Sequence, residues 1–467
     1  MLTTARRRRL AGAIAALAGL QAAGFVLAVP ARADSVRATE TWVLDALNVQ
    51  PAWAVTEGRG VTVAVIDSGV DPDVSDLAGS VLTGPDLTGV HTPPTNKYWG
   101  VHGTWMASLI VGHGHGPGGS DGIIGVAPEA RVLSIRVITD QYDPNYDAYE
   151  HEQPSKGQRQ LATAIRYAVS ARVGVISMSL GYSLQSRIVR AALQDAYEHN
   201  IVVVASAGNS GEQSGISSDG QAPYSFPADY PGVLAVAAVS RSGQPASFSS
   251  DNLSVQVAAP GVRVPAQGRD GKYWIVSGTS PACALTAGVA ALIKSAYPNL
   301  SDTQVLEAIK NSTTRSSRPA AGWNDKVGFG EVNAAAALAA AGREARSGKP
   351  AAGLSTTVHF GGGPAAVPAP PVRPRGLLSL ALYCVLGFGS LALVAVAISR
   401  MFTLRELPDP GPAAAVAAPQ AGAAPQTGAA PRSGGPPPGG GMPRMAATPP
   451  GRHAAPRGRA GTDEDVQ

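Results

Sequence analysis

Cysteine is almost absent from this chain of 467 residues, which contains only Cys283 and Cys384. No CxxC pair is present, so a cysteine-based zinc site and a disulfide-rich scaffold are both excluded. A disulfide between them would have to join Cys283, in the globular part of the chain, to Cys384, in an apolar stretch of transmembrane length, and we expect none. We therefore predict a folded domain without disulfides, which roughly 300 residues can achieve by burial alone.

Charged residues are also scarce, at 15% of the chain, and the formal net charge is only +4. Much of the positive excess lies in the run 6–9 and in arginines of the C-terminal tail, whereas the middle of the chain is close to balanced. This distribution gives no indication of a nucleic-acid partner.

Two apolar stretches indicate contact with a membrane. Residues 10–29 follow the basic run and precede Ala31-Arg32-Ala33, a pattern typical of a signal peptide at 1–33, with an uncleaved anchor as the alternative. Residues 377–399 carry no charge over a length that suits a bilayer, which predicts a transmembrane helix. Export followed by this span predicts a protein of the cell membrane with its main domain outside and its tail in the cytoplasm.

Composition divides the remainder of the chain. Residues 34–58 form a short N-terminal extension, which either is dispensable for folding or packs on the following domain. Residues 59–341 are predicted to form that domain, and the proline- and glycine-rich residues 342–376 a linker. Residues 400–467 are dominated by proline, alanine, glycine and arginine, which predicts a disordered tail.

The pattern of the main domain predicts an α/β fold. Apolar runs of strand length suit strands that are buried on both faces of a parallel sheet, and they occur at 61–66, 132–137, 173–178, 201–205 and 233–239. Helical patterns at 161–169 and 187–199 lie between them. This alternation predicts helices on both sides of a mostly parallel sheet.

Three short segments carry groups suited to catalysis. Asp67 ends a predicted strand, where it either faces a ligand crevice or caps the next element. His102 precedes Gly103 at a predicted helix start, where a satisfied structural histidine is the alternative. Ser280 precedes Pro281, which suits the first position of a helix, so Ser280 either faces the crevice or serves as an N-cap.

The segments V-I-D-S-G-V, H-G-T and S-G-T-S, in this order, resemble the subtilisin-like serine proteases, whose fold is a three-layer sandwich around a mostly parallel sheet. The resemblance implies that Asp67, His102 and Ser280 form a catalytic triad. Ala207-Gly208-Asn209 is also similar to the family, which implies that Asn209 donates a hydrogen bond to the oxyanion. It implies a polypeptide substrate and no cofactor.

The resemblance further implies where a substrate binds. An extended peptide would add as a strand beside Ser179-Leu180-Gly181, and Ser206-Ala207-Gly208 would form a wall of the primary specificity pocket. Ala284 and Trp105 depart from the usual family pattern, and neither removes a reacting group.

The signal peptide, short extension, linker and single span together resemble mycosins, the subtilisin-type proteases associated with type VII secretion in actinobacteria. This implies cleavage of exported proteins at the outer membrane surface, or alternatively a scaffold role in a secretion complex, with proteolysis dispensable. Mycosins commonly carry disulfides, which two isolated cysteines cannot reproduce.

Three further features leave alternatives open. Cys283 is either a second nucleophile or, in the preferred interpretation, a small buried hydrophobic residue. The acidic insert 139–158 is interpreted as a mobile loop near the cleft rather than a calcium site, because its carboxylates lack the spacing of a calcium loop. His113 and His115 are either solvated turn residues or metal ligands. No metal site is predicted.

Overall fold

The computed structural model describes residues 33–212, 220–314 and 319–348. The strands are, in chain order, β1 (Thr62–Asp67), β2 (Val81–Asp86), β3 (His113–His115), β4 (Asp121–Ile124), β5 (Arg131–Arg136), β6 (Val175–Met178), β7 (Val202–Ser206), β8 (Val233–Val239), β9 (Val255–Pro260), β10 (Val264–Gln267) and β11 (Tyr273–Val276). The α-helices are α1 (Ala33–Ala46), α2 (Gln50–Trp53), α3 (Val101–Val111), α4 (Tyr146–Ser170), α5 (Arg187–Glu198), α6 (Thr279–Ala296), α7 (Asp302–Lys310) and α8 (Ala334–Ser347).

The main sheet has seven strands in the order β2-β5-β1-β6-β7-β8-β9, and every pairing within it is parallel. Its central strands are buried along nearly their whole length, as short continuous runs of valine, isoleucine and alanine predict. The five predicted strands are all found, with bounds within two residues of those expected from the sequence. The predicted mostly parallel α/β fold is confirmed.

Apolar side chains form a core on each face of this sheet. On one face α3 and α6 pack against alternate residues of the strands, and on the other α4 and α5 do the same. Helix α6 is buried almost all round, which matches its mostly apolar sequence. The result is a three-layer sandwich, and it brings α3 and α6 to the same face of the sheet.

The N-terminal extension packs on the main domain. Val43 and Leu47 of this segment are buried in the core of the α3 and α6 face. The Arg37 guanidinium donates to three backbone carbonyls around β4, and Glu40 accepts the Ile124 N–H at 3.0 Å. At the other end, the Leu47 carbonyl accepts the Ala334 N–H at the start of α8. Of the two alternatives for residues 34–58, the structure therefore has the packed one.

Two predictions about loops are wrong in part. The acidic insert 139–158 was expected to be a loop, but it is helical from Tyr146 onwards because α4 begins there. The linker was expected to start at residue 342, but α8 continues to Ser347 and buries Gly342 against Tyr297.

No helix within the described ranges is long and apolar enough to cross a bilayer. The predicted span 377–399, the signal peptide up to residue 32, the linker beyond residue 348 and the tail 400–467 lie outside those ranges.

Candidate active site

The predicted site residues follow the carboxyl ends of three neighbouring strands. Asp67 is the last residue of β1, Ser179–Gly181 follow β6, and Ala207–Asn209 follow β7. Because β1, β6 and β7 are adjacent and parallel, their carboxyl ends lie at one edge of the sheet, where ligand crevices form in open α/β folds.

Asp67 and His102 form a hydrogen-bonded pair in which the carboxylate is buried and the imidazole is partly exposed. The His102 Nδ1 lies 2.8 Å from one carboxylate oxygen of Asp67 and 3.0 Å from the other. Asp67 is only 1% exposed and also accepts the Ser68 N–H at 2.7 Å, so the carboxylate is held in one orientation. The imidazole is thereby fixed with Nδ1 toward the carboxylate, which leaves Nε2 available for a second partner.

The close approach of α3 to β1 depends on Gly103. A Cβ at this position would overlap the carbonyl oxygen of Gly69, in the turn that follows β1, and would lie 3.3 Å from the Asp67 Cβ. The absence of a side chain at the residue after His102 therefore permits the close approach of α3 to β1.

Ser280 lies in the first turn of α6 and is partly exposed. Helix α6 begins at Thr279, so Pro281 occupies its third position rather than the first. The peptide nitrogen there also has no partner within the helix, so the proline costs no helical hydrogen bond. In this structure the Ser280 hydroxyl donates to the Ser179 carbonyl oxygen, at 3.5 Å.

Asn209 lies beside this helix start, and Thr279 orients its side chain. The Thr279 N–H and hydroxyl both donate to the Asn209 Oδ1, at 2.9 and 3.0 Å. The carboxamide oxygen is thus occupied, and the Nδ2 group lies beside Gly278, next to the Ser280 turn. Thr279 is part of the S-G-T-S motif, but this orienting role was missed from the sequence.

The two segments predicted to bind substrate converge on Ser225. A Cβ added at Gly181 would overlap the Ser225 hydroxyl, and one at Gly208 would lie 3.3 Å from the Ser225 Cβ. Ser206 and Ala207 are buried, as are Ser179 and Leu180, so Gly181 and Gly208 are the more exposed ends of these segments. Nothing in the local sequence distinguishes Ser225, which was not predicted.

A buried arginine supports the loop after Asp67. Arg136 is 2% exposed at the end of β5, where its guanidinium binds Asp86 at 2.6 Å and Asp143 at 3.1 Å. Its Nε donates to the Ser68 carbonyl at 3.1 Å. Asp143 belongs to the acidic insert, so one of the carboxylates considered for calcium is instead engaged by Arg136.

A second carboxylate of that insert reaches the active site. Asp140 accepts the Val101 N–H at 3.0 Å and the His102 N–H at 3.2 Å, and so caps the start of α3. Burial raises the pKa of Asp140 to about 6, although the charge of His102 opposes this shift. Burial lowers the pKa of His102, but the charge and hydrogen bond of Asp67 and the charge of Asp140 outweigh it, so that pKa lies above its ordinary value.

Cys283 is fully buried, one turn after Ser280. Burial raises the pKa of its thiol to about 11, which keeps the thiol protonated at neutral pH and so a poor nucleophile. The preferred interpretation, a small buried residue with a free thiol, is confirmed.

The two histidines of the glycine-rich segment have protein partners. His113 lies within hydrogen-bond distance of the Gly114 and Ala78 carbonyls, and His115 lies 2.6 Å from the buried Asp76. Within the described part of the chain, no three histidine, cysteine or acidic side chains group as metal ligands would.

Comparisons with known proteins agree with this geometry. A model of the Subtilase family of peptidases matches residues 58–330. Mycosin-1 of Mycobacterium tuberculosis is 33% identical over 344 residues, covering 64% of this chain and 72% of the relative. A thermostable alkaline protease of Halalkalibacterium halodurans is 31% identical over 301 residues, covering 64% of this chain and 74% of the relative.

Solved structures give the same result. The structure of the MycP3 protease from the type VII (ESX-3) secretion system matches with a TM-score of 0.53 and 30% identity, covering 68% of this chain and 93% of that one. MycP1 with the N-terminal propeptide removed matches with a TM-score of 0.52 and 29% identity, covering 64% and 96%. The chain therefore belongs to the Subtilase family and is a subtilisin-like serine protease related to the mycosins.

Proposed function

We propose that this protein is a serine endopeptidase that hydrolyses exported proteins at the outer side of the cytoplasmic membrane, in association with type VII secretion. The observation that carries the proposal is the hydrogen bond of His102 to the buried carboxylate of Asp67, at the same sheet edge as Ser280 and Asn209. The relatedness to mycosins, together with the predicted signal peptide and span, supports the site of action.

In the proposed reaction the Ser280 hydroxyl turns from the Ser179 carbonyl to His102 Nε2, which takes its proton as the Oγ attacks the peptide carbonyl carbon. Hydrogen bonds of this kind are often long without substrate and tighten in the complex. Asp67 stabilises the imidazolium that forms. The carbonyl oxygen becomes an oxyanion, which accepts hydrogen bonds from Asn209 Nδ2 and the Ser280 N–H.

Collapse of this tetrahedral intermediate breaks the peptide C–N bond, and His102 gives its proton to the leaving amine. The acyl group stays on Ser280 as an ester. A water molecule then attacks the ester, with His102 as base, and a second collapse releases the carboxylic acid and restores the serine hydroxyl. Substrate backbone would pair with Ser179–Gly181 in this scheme, and the side chain before the scissile bond would lie near Gly208 and Ser225.

The proposal predicts that a fluorophosphonate probe labels the full-length protein but not its Ser280→Ala variant, because only an activated serine reacts. Cys283→Ala is the matched control and should label like the wild type, since its thiol is buried and protonated. A folded wild-type protein that the probe never labels would contradict the proposal.

The same Ser280→Ala variant tests the link to secretion in the producing cell. Proteolytic function predicts that processing of exported proteins stops in the variant as it does on gene deletion. Secretion that survives Ser280→Ala but fails on deletion would instead indicate the scaffold role.

A further inference from the structure

Asp140 is set apart from the other carboxylates of the acidic insert by its contacts. It lies between β5 and α4, yet its two oxygens accept the N–H groups of Val101 and His102. These are the first two residues of α3, whose N–H groups have no partner within the helix. A carboxylate at this position also interacts favourably with the helix dipole.

The same carboxylate is linked to the catalytic pair by a second route. The side chain of Ser68, the residue after Asp67, acts on Asp140 in the direction that favours the charged carboxylate and so lowers its pKa. The Ser68 hydroxyl in turn accepts the Gly103 N–H at 3.1 Å. The turn that carries His102 is therefore held at its first three peptide groups, the first two by Asp140 and the third by Ser68.

The charge of Asp140 acts on the imidazole as well. The charged groups that act on its carboxylate are His102 on α3 and Asp67 at the end of β1, while Arg136 is engaged by Asp86 and Asp143. Asp140 is partly buried, so its field at His102 is less screened than that of a surface carboxylate.

We propose that Asp140 is a positioning residue for the reaction: it fixes the approach of His102 to Asp67 by capping α3, and its charge supplements that of Asp67 in stabilising the imidazolium. This inference rests on the proposed serine protease function. It deepens that function by assigning part of the pH range of activity to a residue outside the triad.

Protonation of Asp140 removes this charge. Burial raises the pKa of Asp140 to about 6, and the charge of Asp140 contributes to the raised pKa of His102, so the protonations of the two groups are coupled. Activity should therefore fall on acidification through two coupled protonations rather than one.

The test is the rate constant of fluorophosphonate labelling as a function of pH, measured on the full-length wild type, Asp140→Asn and Asp140→Glu. Asn keeps an oxygen to accept an N–H but lacks the charge, so the midpoint of the acidic limb should move down by about one pH unit. The plateau rate should fall by about threefold to tenfold as the imidazolium loses support. Glu keeps the charge and should keep the wild-type midpoint.

Asp147→Asn is the matched control, because it removes an exposed carboxylate from the same insert. It should leave both the midpoint and the plateau unchanged. Asp140→Ser provides a second uncharged variant should Asp140→Asn fail to fold. A folded, uncharged variant whose labelling rate falls while the midpoint of its acidic limb stays at the wild-type pH would overturn the proposal. Asp140 would then act only as a cap of α3.

A second readout separates this inference from the proposed function. The His102 imidazole can be titrated by NMR in histidine-labelled Ser280→Ala protein, with and without Asp140→Asn, and this needs no catalysis. A lower His102 pKa in the double variant supports the role of Asp140 even in a chain that the probe never labels. An unchanged pKa contradicts it even in a fully active enzyme.

Discussion

At the scale of single residues, the orientation of Asn209 illustrates how a small number of hydrogen bonds prepares a site. A free carboxamide can present either its oxygen or its nitrogen to a ligand. Here Thr279 donates twice to the oxygen, so the Nδ2 donors are the atoms that remain for a developing negative charge. A pre-oriented donor needs no reorganisation when the oxyanion forms.

We therefore expect Asn209→Ala to lower kcat by about 10²- to 10³-fold, equivalent to about 2.7–4 kcal/mol, with little change in KM. The selective effect on kcat follows because the donor acts on the transition state more than on bound substrate. Steady-state hydrolysis of a peptide substrate measures it, with the exposed Asn299→Ala as control. An equal rise in KM with unchanged kcat would assign Asn209 to ground-state binding instead.

The residues proposed for the triad and for the oxyanion site, Asn209 among them, could be selected from the sequence because each belongs to a short contiguous motif. Asp140, Thr279 and Ser225 were given no such role, because what they do depends on contacts made across the fold. Asp140 meets His102 from 38 residues away. Asp143, three residues later in the same acidic insert, binds Arg136 instead. The sequence of the insert alone therefore could not show which of the two carboxylates reaches His102.

At the scale of elements, the N-terminal helix α1 is attached to the domain by a buried carboxyl group. Glu40 is 2% exposed, and burial raises its pKa to about 8, in spite of its backbone hydrogen bond with Ile124 and the nearby charge of Arg37. The guanidinium of Arg37 is directed to three carbonyl oxygens and lies 3.7 Å from the carboxyl, which explains why it does not offset the desolvation.

The sign of the resulting pH dependence follows from this raised pKa. The folded state holds the Glu40 proton more tightly than the unfolded state, so stability is greatest below the unfolded pKa and declines as pH rises toward about 8. The slope from one such group is at most about 1.4 kcal/mol per pH unit.

We predict that Glu40→Gln flattens this decline, because an amide keeps an oxygen to accept the Ile124 N–H and has no proton to lose. Thermal unfolding midpoints from pH 5 to 8 measure it, with the exposed Asp45→Asn of the same helix as control. Asp229 and Glu331, whose pKa values burial raises to about 7, should leave a residual slope. If plots of the unfolding midpoint against pH are parallel for wild type and Glu40→Gln, the Glu40 carboxyl does not lose its proton between pH 5 and 8.

Strands were easier to predict than connections for a physical reason. A strand buried on both faces is a short apolar run whatever its neighbours are, so β1, β6, β7 and β8 are visible in the sequence alone. Residues 139–158 carry polar side chains that suit either an exposed helix or a loop. Packing of α4 against α5 determines the outcome, and local composition does not report that contact.

At the scale of the whole molecule, the domain is closed by contacts between its two ends. The Leu47 carbonyl accepts the Ala334 N–H, and the Asn48 side chain donates to Asn333, which caps α8. The N-terminal extension is thus an integral part of the fold, bound on the face that carries α3 and α6.

Residues 377–399 are predicted to hold the protein at a membrane. Residues 377–399 form an uncharged stretch of 23 residues. As a helix it would extend about 35 Å, enough to cross a hydrocarbon core of about 30 Å.

We predict that deletion of 377–399 releases the protein from membranes while fluorophosphonate labelling persists, because the site is built entirely from residues before 300. Fractionation after a carbonate wash measures the release. Deletion of 412–434, an equal length of the tail, is the matched control and should leave the protein membrane-bound. If the protein without 377–399 still sediments with membranes, the anchor lies elsewhere, and an uncleaved N-terminal segment becomes the explanation to test.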